Sequence, residues 1–253
     1  MEKLLYPLWR EPDITQDGFR DVLVEQLGPE LAQLPGVHGL RVTVADSAVA
    51  SAAGRRMESN PPVPDAVLSL WVEYAAQADS FEALIDARVS RKTAYLVAEA
   101  EPLLSQRAHP SAPGERVYGM CHVVFMSRPQ ALGRADWLAV WKDSHTAVAI
   151  ETQSTFGYRQ NVVVRTLSAD TPACDAIVEE NFPPEAMTSD HAFYKTGDDE
   201  TLLQQRMTAM MESCVRFIDF EKIDVIPMSE YVIKPLPAAG VSGWPLSPAR
   251  RVR

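Results

Sequence analysis

The chain contains an internal repeat, and this repeat constrains the fold more than any other feature of the sequence. The segment HGLRVTV at His38–Val44 resembles FGYRQNV at Phe156–Val162, 118 positions later. A second pair, DAVLSLWVEY from Asp65 and DAIVEENF from Asp175, lies 110 positions apart, because the first copy has a longer loop at residues 45–64. Self-similarity at this spacing predicts two similar structural units in one chain.

Each copy has the same order of predicted elements. Alternating apolar residues predict strands and apolar residues at helical spacing predict helices, in the order β-α-β-β-α-β. This is the ferredoxin-like order, in which helices cover one face of an antiparallel sheet and the other face needs a partner. We therefore predict an α+β fold in which two tandem ferredoxin-like repeats pair their antiparallel sheets into a barrel. The sequence leaves open whether the barrel closes within one chain or between chains.

The repeat also predicts the domain organisation. Residues 1–105 form the first repeat and residues 106–115 a linker containing Pro and Ser. Residues 116–235 form the second repeat, which carries the candidate site, and residues 236–253 form a C-terminal arm rich in Pro and Gly. Trp244 in this arm suggests contact with a partner subunit, but a frayed tail is an equally good interpretation.

The composition narrows the function classes. A net charge of −10 and a pI near 5.0 argue against nucleic acid as a partner, because phosphate binding needs a basic surface. No stretch approaches the roughly 20 apolar residues of a membrane helix, and the first residues do not resemble a signal peptide. The three cysteines are far apart, which favours a reducing compartment, so we predict a cytoplasmic protein.

Motifs for common cofactors are absent from the sequence. It has no Gly-rich nucleotide-binding loop, no GxSxG elbow, and no histidine pair at metal-ligand spacing. We therefore predict neither a cofactor nor a metal.

His145 is the first candidate for proton transfer. Trp137, Trp141, His145 and Val148 follow one another at helical spacing and lie on one apolar face. A neutral imidazole in an apolar pocket can act as a general base near pH 7. The alternative is a core histidine satisfied by a backbone carbonyl or a carboxylate. In the first copy the equivalent residue is Leu27, so the fold itself does not require a histidine here.

The first strand of the second copy supplies further candidates. Residues in a strand alternate between two faces, and Tyr118, Met120 and His122 share one face while Cys121 and Val123 share the other. We predict that the face with the polar exceptions lies inside the barrel and lines a pocket for a bulky apolar ligand. In the alternative interpretation, His122 lies near the solvent end of the strand.

Two later strands add a carboxylate, an amide and a phenol. Glu179 and Asn181 are predicted to face the barrel, where an apolar wall would raise the pKa of the glutamate and make it an acid. A charge at an open sheet edge is the alternative. Tyr158 is a weaker candidate donor. Arg159 matches Arg41 of the first copy, which favours a structural role such as pairing with an acidic residue.

A family resemblance rests mainly on the second copy. Trp137, Trp141 and His145 at four-residue spacing, followed by FGYRQN, DAIVEENF and IDFEKIDVIPMSEY, resemble the EthD domain of the dimeric α+β barrel superfamily. Together with the fainter first copy, the resemblance covers about Leu4 to Lys234. It implies a barrel whose interior binds an apolar or aromatic small molecule, in degradation or biosynthetic pathways.

We therefore predict a cofactor-independent enzyme, of lyase or isomerase type, that dehydrates, isomerises or cyclises a hydrophobic cyclic or aromatic substrate. His145 is the predicted base or acid, and His122, Glu179 and Tyr158 assist. The predicted substrate-binding residues are Tyr118, Met120, Trp141 and Asn181. A homodimer is possible, with no nucleic-acid or membrane partner. The alternatives are a non-catalytic ligand-binding barrel protein and a haem- or oxygen-dependent barrel enzyme.

Overall fold

The computed structural model describes residues 1–77, 79–169 and 171–237, so most of the predicted C-terminal arm lies outside the described residues. The strands of the described chain are β1 Glu2–Trp9, β2 Val37–Val44, β3 Met57–Glu58, β4 Ala66–Val72, β5 Arg91–Lys92, β6 Tyr95–Leu103, β7 Met120–Met126, β8 Gly157–Thr166, β9 Ala176–Phe182 and β10 Asp224–Lys234. The α-helices are α1 Gln16–Asp21, α2 Gly28–Ala32, α3 Asp79–Asp86, α4 Ser105–Ala108, α5 Arg134–Ala139, α6 Thr146–Thr152, α7 Asp190–Phe193 and α8 Glu200–Cys214.

The long helix of each half contains a wider π-helical turn. Val22–Leu27 joins α1 to α2, and Val140–His145 joins α5 to α6, at positions that the repeat makes equivalent. The first of these helices is capped at its start by Thr15, whose side chain accepts a hydrogen bond from the Gly18 amide. π-Helical turns occur frequently at functional sites, and His145 ends the second one.

Eight strands form a closed antiparallel barrel within one chain. The order around the barrel is β2-β4-β1-β6-β8-β9-β7-β10, and β10 pairs with β2 to close it. The first half (residues 2–103) contributes four neighbouring strands and the second half (residues 120–234) the other four, joined by the β6–β8 and β10–β2 pairs. The predicted α+β barrel fold is therefore confirmed, and closure within the chain answers the question that the sequence left open.

The helices cover the outer face of the barrel wall. In the first half, Leu4 and Tyr6 of β1 belong to the same buried cluster as Phe19 and Leu23 of the long helix. In the second half, Ala176 and Val178 of β9 pack with the tryptophans of the α5–α6 helix. This is the two-layer packing that one apolar sheet face and one apolar helix stripe require.

The barrel interior is filled with side chains. One part is apolar and includes Leu5, Val67 and Cys121. The other part is a network of charged side chains, of which Arg41, Glu99 and Glu101 are half-buried and the rest buried: Lys3, Arg41, Glu99, Glu101, Arg159, Glu179 and Glu230. Charges taken out of water require partners of opposite sign, and this network supplies them across strands from both halves.

The segment predicted as a long loop at residues 45–64 has structure of its own. It contains a 3₁₀ helix, Ser47–Arg55, and the short strand β3, which pairs with β10. The Arg55 side chain bonds to the Ala186 carbonyl and to Asp190, so this first-half segment is fastened to the second half.

Candidate functional site

A large cavity lies between the outer face of the second-half sheet and the helices that cover it. Its volume is about 710 Å³. Strands β7, β8 and β9 form its floor, the long α5–α6 helix and α8 form its walls, and the Arg55 segment closes one side. The prediction of a ligand pocket inside the barrel is wrong, because packed side chains fill the interior and this cavity lies outside the barrel wall.

Three polar side chains form a row across the cavity floor. Glu180 of β9 pairs in register with His122 of β7 on one side and with Tyr158 of β8 on the other. Residues directly opposite in neighbouring antiparallel strands have their Cβ atoms about 5 Å apart, on the same face. The row therefore places an imidazole, a carboxyl group and a phenol next to one another, and all three line the cavity.

The first half has leucine at each of these positions. The equivalent row is Leu4, Leu70 and Leu40, which pair in the same registers and are fully buried. Leu27, also fully buried, stands where the second half has His145. The scaffold is thus stable with an apolar row, and the second half replaces four clustered leucines by His122, Tyr158, Glu180 and His145.

The carboxyl group of Glu180 has no side-chain partner. Among the described residues, no side chain hydrogen bonds to it or forms an ion pair with it. Burial raises the pKa of Glu180 from 4.5 to about 7, so that both its protonation states are populated at neutral pH. A group with this pKa can both take up and release a proton at pH 7.

His122 is held neutral. It is buried, and its Nε2 has no hydrogen-bond partner among the described residues. Its ring packs against Phe182 and Phe193, with centroids 5.1 and 5.8 Å away. Burial and, to a lesser extent, the charge of Arg55 lower the pKa of His122 to about 3.

His145 and Tyr158 have defined partners. His145 Nδ1 is 2.9 Å from Ser213 Oγ, and its ring packs on Phe217 at 4.6 Å. Burial, followed by the charge of Arg216, lowers the pKa of His145 to about 4. Tyr158 Oη accepts a hydrogen bond of 3.0 Å from Trp141 Nε1, and burial raises the pKa of this phenol well above its usual value.

The buried histidine should be visible in the pH dependence of stability. Because the pKa of His122 falls from 6.5 to about 3 on folding, the unfolded chain takes up a proton that the folded chain excludes, and stability falls as the pH drops through this window. We compare the free energy of unfolding of His122→Leu with that of the wild type at two pH values. The difference, mutant minus wild type, should be about 2 kcal/mol larger at pH 5 than at pH 7.5. Urea unfolding at the two pH values measures this.

The comparison for this experiment is the second buried histidine of the cavity, His145. His145→Leu should resemble His122→Leu with a smaller effect, because its pKa is lowered less. An identical pH dependence in His122→Leu and the wild type would contradict the placement of His122.

The structure brings together half of the predicted site residues. His122, His145, Tyr158 and Trp141 line the cavity. The prediction that His122 faces the barrel interior is wrong, however, because Cys121 and its alternating neighbours fill the interior. Both faces of β7 are buried, one by the opposite barrel wall and one by helices, so alternation alone does not identify the interior face.

The other four predicted residues lie elsewhere. Glu179 faces the interior, as predicted, but its expected raised pKa is wrong, because Arg159 and Lys3 lower the pKa despite burial. Asn181 also faces the interior and donates to Glu230. Met120 is buried beside Phe182 and does not line the cavity. Tyr118 precedes β7, is 43% exposed and stacks on the His109 ring.

Two cavity residues were missed as candidates. Glu180 lines the cavity but was not among the predicted site residues. Its match to Leu70 of the first copy was the available signal, since it marks a charge on an otherwise apolar face. Arg55 belongs to the segment interpreted as a loop, and no periodicity in the sequence predicts that this segment crosses to the other half.

Among the described residues, no group of three or more His, Cys, Asp or Glu side chains is placed to hold a metal ion. Within the same part of the chain, no helix has the length and hydropathy needed to span a bilayer.

The fold and the cavity define an α+β barrel protein with a pocket on one half that is lined by titratable groups. The structure resembles that of an anthrone oxidase-like protein, with a TM-score of 0.52, 10% identity, and coverage of 95% of this chain and 96% of that chain. It also resembles a dye-decolorizing peroxidase from Bacteroides thetaiotaomicron VPI-5482 (TM-score 0.48, 10% identity, 92% and 93% coverage). A chlorite dismutase variant from Candidatus Nitrospira defluvii gives a TM-score of 0.46, 8% identity, and 90% coverage of both chains.

No family model matches the chain, and no curated protein does. At 10% identity, the likeness to the anthrone oxidase-like protein establishes the fold alone. The fold is an α+β barrel, while membership of the EthD family and of its superfamily stays a prediction.

Proposed function

We propose that the chain is an enzyme that moves a proton on a hydrophobic cyclic or aromatic substrate, in a dehydration, isomerisation or cyclisation. The replacement of four clustered leucines of the first half by His122, Tyr158, Glu180 and His145 is the observation that carries this proposal. Burying polar groups in place of leucine costs stability, because each loses its contact with water. Such a cost, concentrated at one cavity, is typical of catalytic sites.

Glu180 is the best proton carrier of the four. A general base works best when its pKa lies near the working pH, which holds for Glu180 at about 7. The two histidines, with pKa values of about 3 and 4, are neutral at pH 7. Such low pKa values make them weak bases. We therefore assign proton transfer to Glu180, and hydrogen bonding to the substrate to His122, His145 and Tyr158.

The proposed step moves a proton and needs no oxidant. The Glu180 carboxylate takes a proton from a carbon of the substrate, and the electron pair of that C–H bond stays on the substrate. In an isomerisation, the Glu180 carboxyl group returns the proton to another carbon. In a dehydration, it protonates a hydroxyl group that leaves as water while the electron pair forms a double bond.

The cavity lining fits a bulky apolar ring. A volume of about 710 Å³ lies within the range of small-molecule sites. Methionines from β3, β7 and α8 share the walls with aromatic side chains, and Met adapts its shape to irregular apolar ligands. The apolar members of the lining include Met57, Met126, Met207, Met210, Met211, Trp141, Phe193, Phe217 and Phe220.

The test is exchange of a carbon-bound proton, which needs no knowledge of the natural substrate. Purified protein is incubated in D₂O with ring compounds that have a weakly acidic C–H bond: anthrone, the compound in the name of the structural neighbour, 2-tetralone and indene. NMR then follows deuterium incorporation. We expect exchange above the buffer rate for at least one compound, and an equal rate in Arg88→Met, which changes a surface pair with Glu30.

A non-catalytic binding protein is the first alternative. It predicts saturable quenching of Trp141 fluorescence by the same compounds, with no deuterium incorporation beyond the buffer rate. That combined result would replace the enzymatic proposal by the binding one.

A homodimer, suggested by the name of the superfamily, also stays a prediction, which sedimentation of the full chain would test.

A haem-dependent enzyme is the second alternative, and the cavity lining does not fit that group. Arg55 is the only Arg or Lys among the described lining residues, and a single cation does not balance the charge of two haem propionates. The lining carboxyl groups Glu180 and Glu212 add no positive charge. We expect no Soret shift on haem titration. A sharp shift that disappears in His145→Ala would favour the haem enzyme instead.

A further inference from the structure

Arg55 reaches into the second-half cavity from the first half of the chain. It ends the 3₁₀ helix Ser47–Arg55, and its guanidinium group is fixed by three contacts with the second half. Nε donates to the Ala186 carbonyl at 3.0 Å, Nη1 pairs with Asp190 at 2.6 Å, and the guanidinium carbon lies 4.6 Å from the Phe193 ring centroid. These contacts hold the side chain in one place. Neither of the two polar contacts uses Nη2.

Arg55 lies beside His122, at one end of the polar row. Both side chains contact the same ring, since Phe193 lies under the guanidinium group and 5.8 Å from the imidazole centroid. The charge of Arg55 contributes to the lowered pKa of His122, whereas it does not contribute to that of Glu180. Along the floor the order is thus Arg55, His122, Glu180 and Tyr158.

This order matches a substrate in which a carbonyl group adjoins the carbon that loses its proton. We propose that the substrate is an enolisable ring ketone whose oxygen lies at Arg55 and His122 while its acidic C–H bond faces Glu180. When Glu180 takes the proton, the C–H electron pair forms a C=C bond and the carbonyl π pair moves to oxygen, which Arg55 stabilises as an enolate. The inference rests on the proposed function and names its substrate class.

Arg55 is suited to this role by its surroundings. A cation fixed before the reaction stabilises a developing oxyanion without having to reorganise. It is the only Arg or Lys among the described residues of the lining. The titratable groups that share the cavity with it are His122, His145, Tyr158, Glu180, Tyr194, Glu212 and Cys214, and Asp190 is its ion-pair partner.

The test uses a phenol as a stable stand-in for the enolate. The probe is 2-hydroxyanthraquinone, a ring phenol whose visible absorption changes when it ionises, titrated from pH 6 to pH 10 while bound to the intact protein. An opposite charge within reach lowers a pKa by about one to three units. We expect the pKa of the bound probe to be about one unit lower in the wild type than in Arg55→Met, with the value in Arg55→Lys between them.

Two further variants keep this test decisive. Asp190→Asn removes the competing anion and leaves Arg55 in place, so the bound probe should ionise at a still lower pH than in the wild type. Arg88→Met, far from the cavity, should match the wild type. If Arg55→Met and Asp190→Asn both leave the ionisation of the bound probe unchanged, Arg55 does not bind the oxygen.

Deuterium exchange separates this inference from the proposed function. Arg55→Met should lower the exchange rate of 2-tetralone, whose acidic C–H bond adjoins its carbonyl group, at least 10-fold and leave that of indene, which has no carbonyl oxygen, unchanged. Equal loss for both compounds, or for neither, would overturn the ketone assignment while proton transfer stands. A protein that shifts the probe through Arg55 but exchanges no proton would retain the oxyanion site and lose the catalytic proposal.

Discussion

Glu180→Leu is expected to lower the exchange or turnover rate by roughly 100- to 10,000-fold, the usual contribution of a positioned general acid or base. The same substitution should stabilise the protein above pH 7. It restores the residue that the first half has at this position, Leu70, in a row that is fully buried there. A loss of activity with a gain in stability is the behaviour of a functional residue in a scaffold that does not need it.

The sign of the stability change follows from the pKa. Folding raises the pKa of Glu180 from 4.5 to about 7, so the folded chain retains a proton that the unfolded chain releases between these values. Wild-type stability therefore falls as the pH rises through this window, by about 3 kcal/mol in all. In Glu180→Leu this fall disappears, and urea unfolding at pH 5 and pH 8 measures the difference.

Two controls define what the result means. Glu180→Gln keeps the shape of the side chain and cannot carry a proton, so it should lose activity as Glu180→Leu does. Glu221→Leu removes an exposed carboxylate that does not line the cavity and should leave activity unchanged. If Glu180→Gln retained wild-type exchange, the proton carrier would be another group of the row, with His145 the first to examine.

The fold could be predicted from the sequence because the same order of strands and helices occurs in both copies of the repeat. A weak pattern in one copy is supported by the other: HGLRVTV and FGYRQNV occupy β2 and β8, which take the same place in the two halves. Closure of the barrel within the chain was not predictable, since edge strands pair equally well within one chain and between two chains.

The site was only partly predictable, for a physical reason. Strands β7 and β9, which carry His122 and Glu180, are largely buried on both faces, so the usual difference between an apolar inner face and a polar outer face is missing there. The interior even holds the more strongly charged residues, such as Arg159 and Glu179. Polarity therefore pointed to the wrong face of β7, while the comparison of Leu70 with Glu180 would have pointed to the right one.

Arg159→Met is expected to destabilise the protein by about 3–5 kcal/mol, which is the usual effect of removing one partner from a buried ion pair. Arg159 is fully buried, with Nη2 2.9 Å from Glu230 Oε2 and Nε 3.3 Å from Glu179 Oε2. Methionine fills a similar volume but leaves two buried carboxylates without their main cation. Urea unfolding at pH 7 measures the loss.

The surface pair Arg88–Glu30 provides the matched control. Arg88→Met removes the same charge from a pair at 2.8 Å in which Glu30 is 45% exposed, and exposed pairs contribute at most about 1 kcal/mol. Adding Glu230→Gln to Arg159→Met should recover part of the stability, because one of the two uncompensated carboxylates becomes neutral. Equal losses in Arg159→Met and Arg88→Met would show that the barrel interior admits water, and that the ion network is not what holds the two halves of the barrel together.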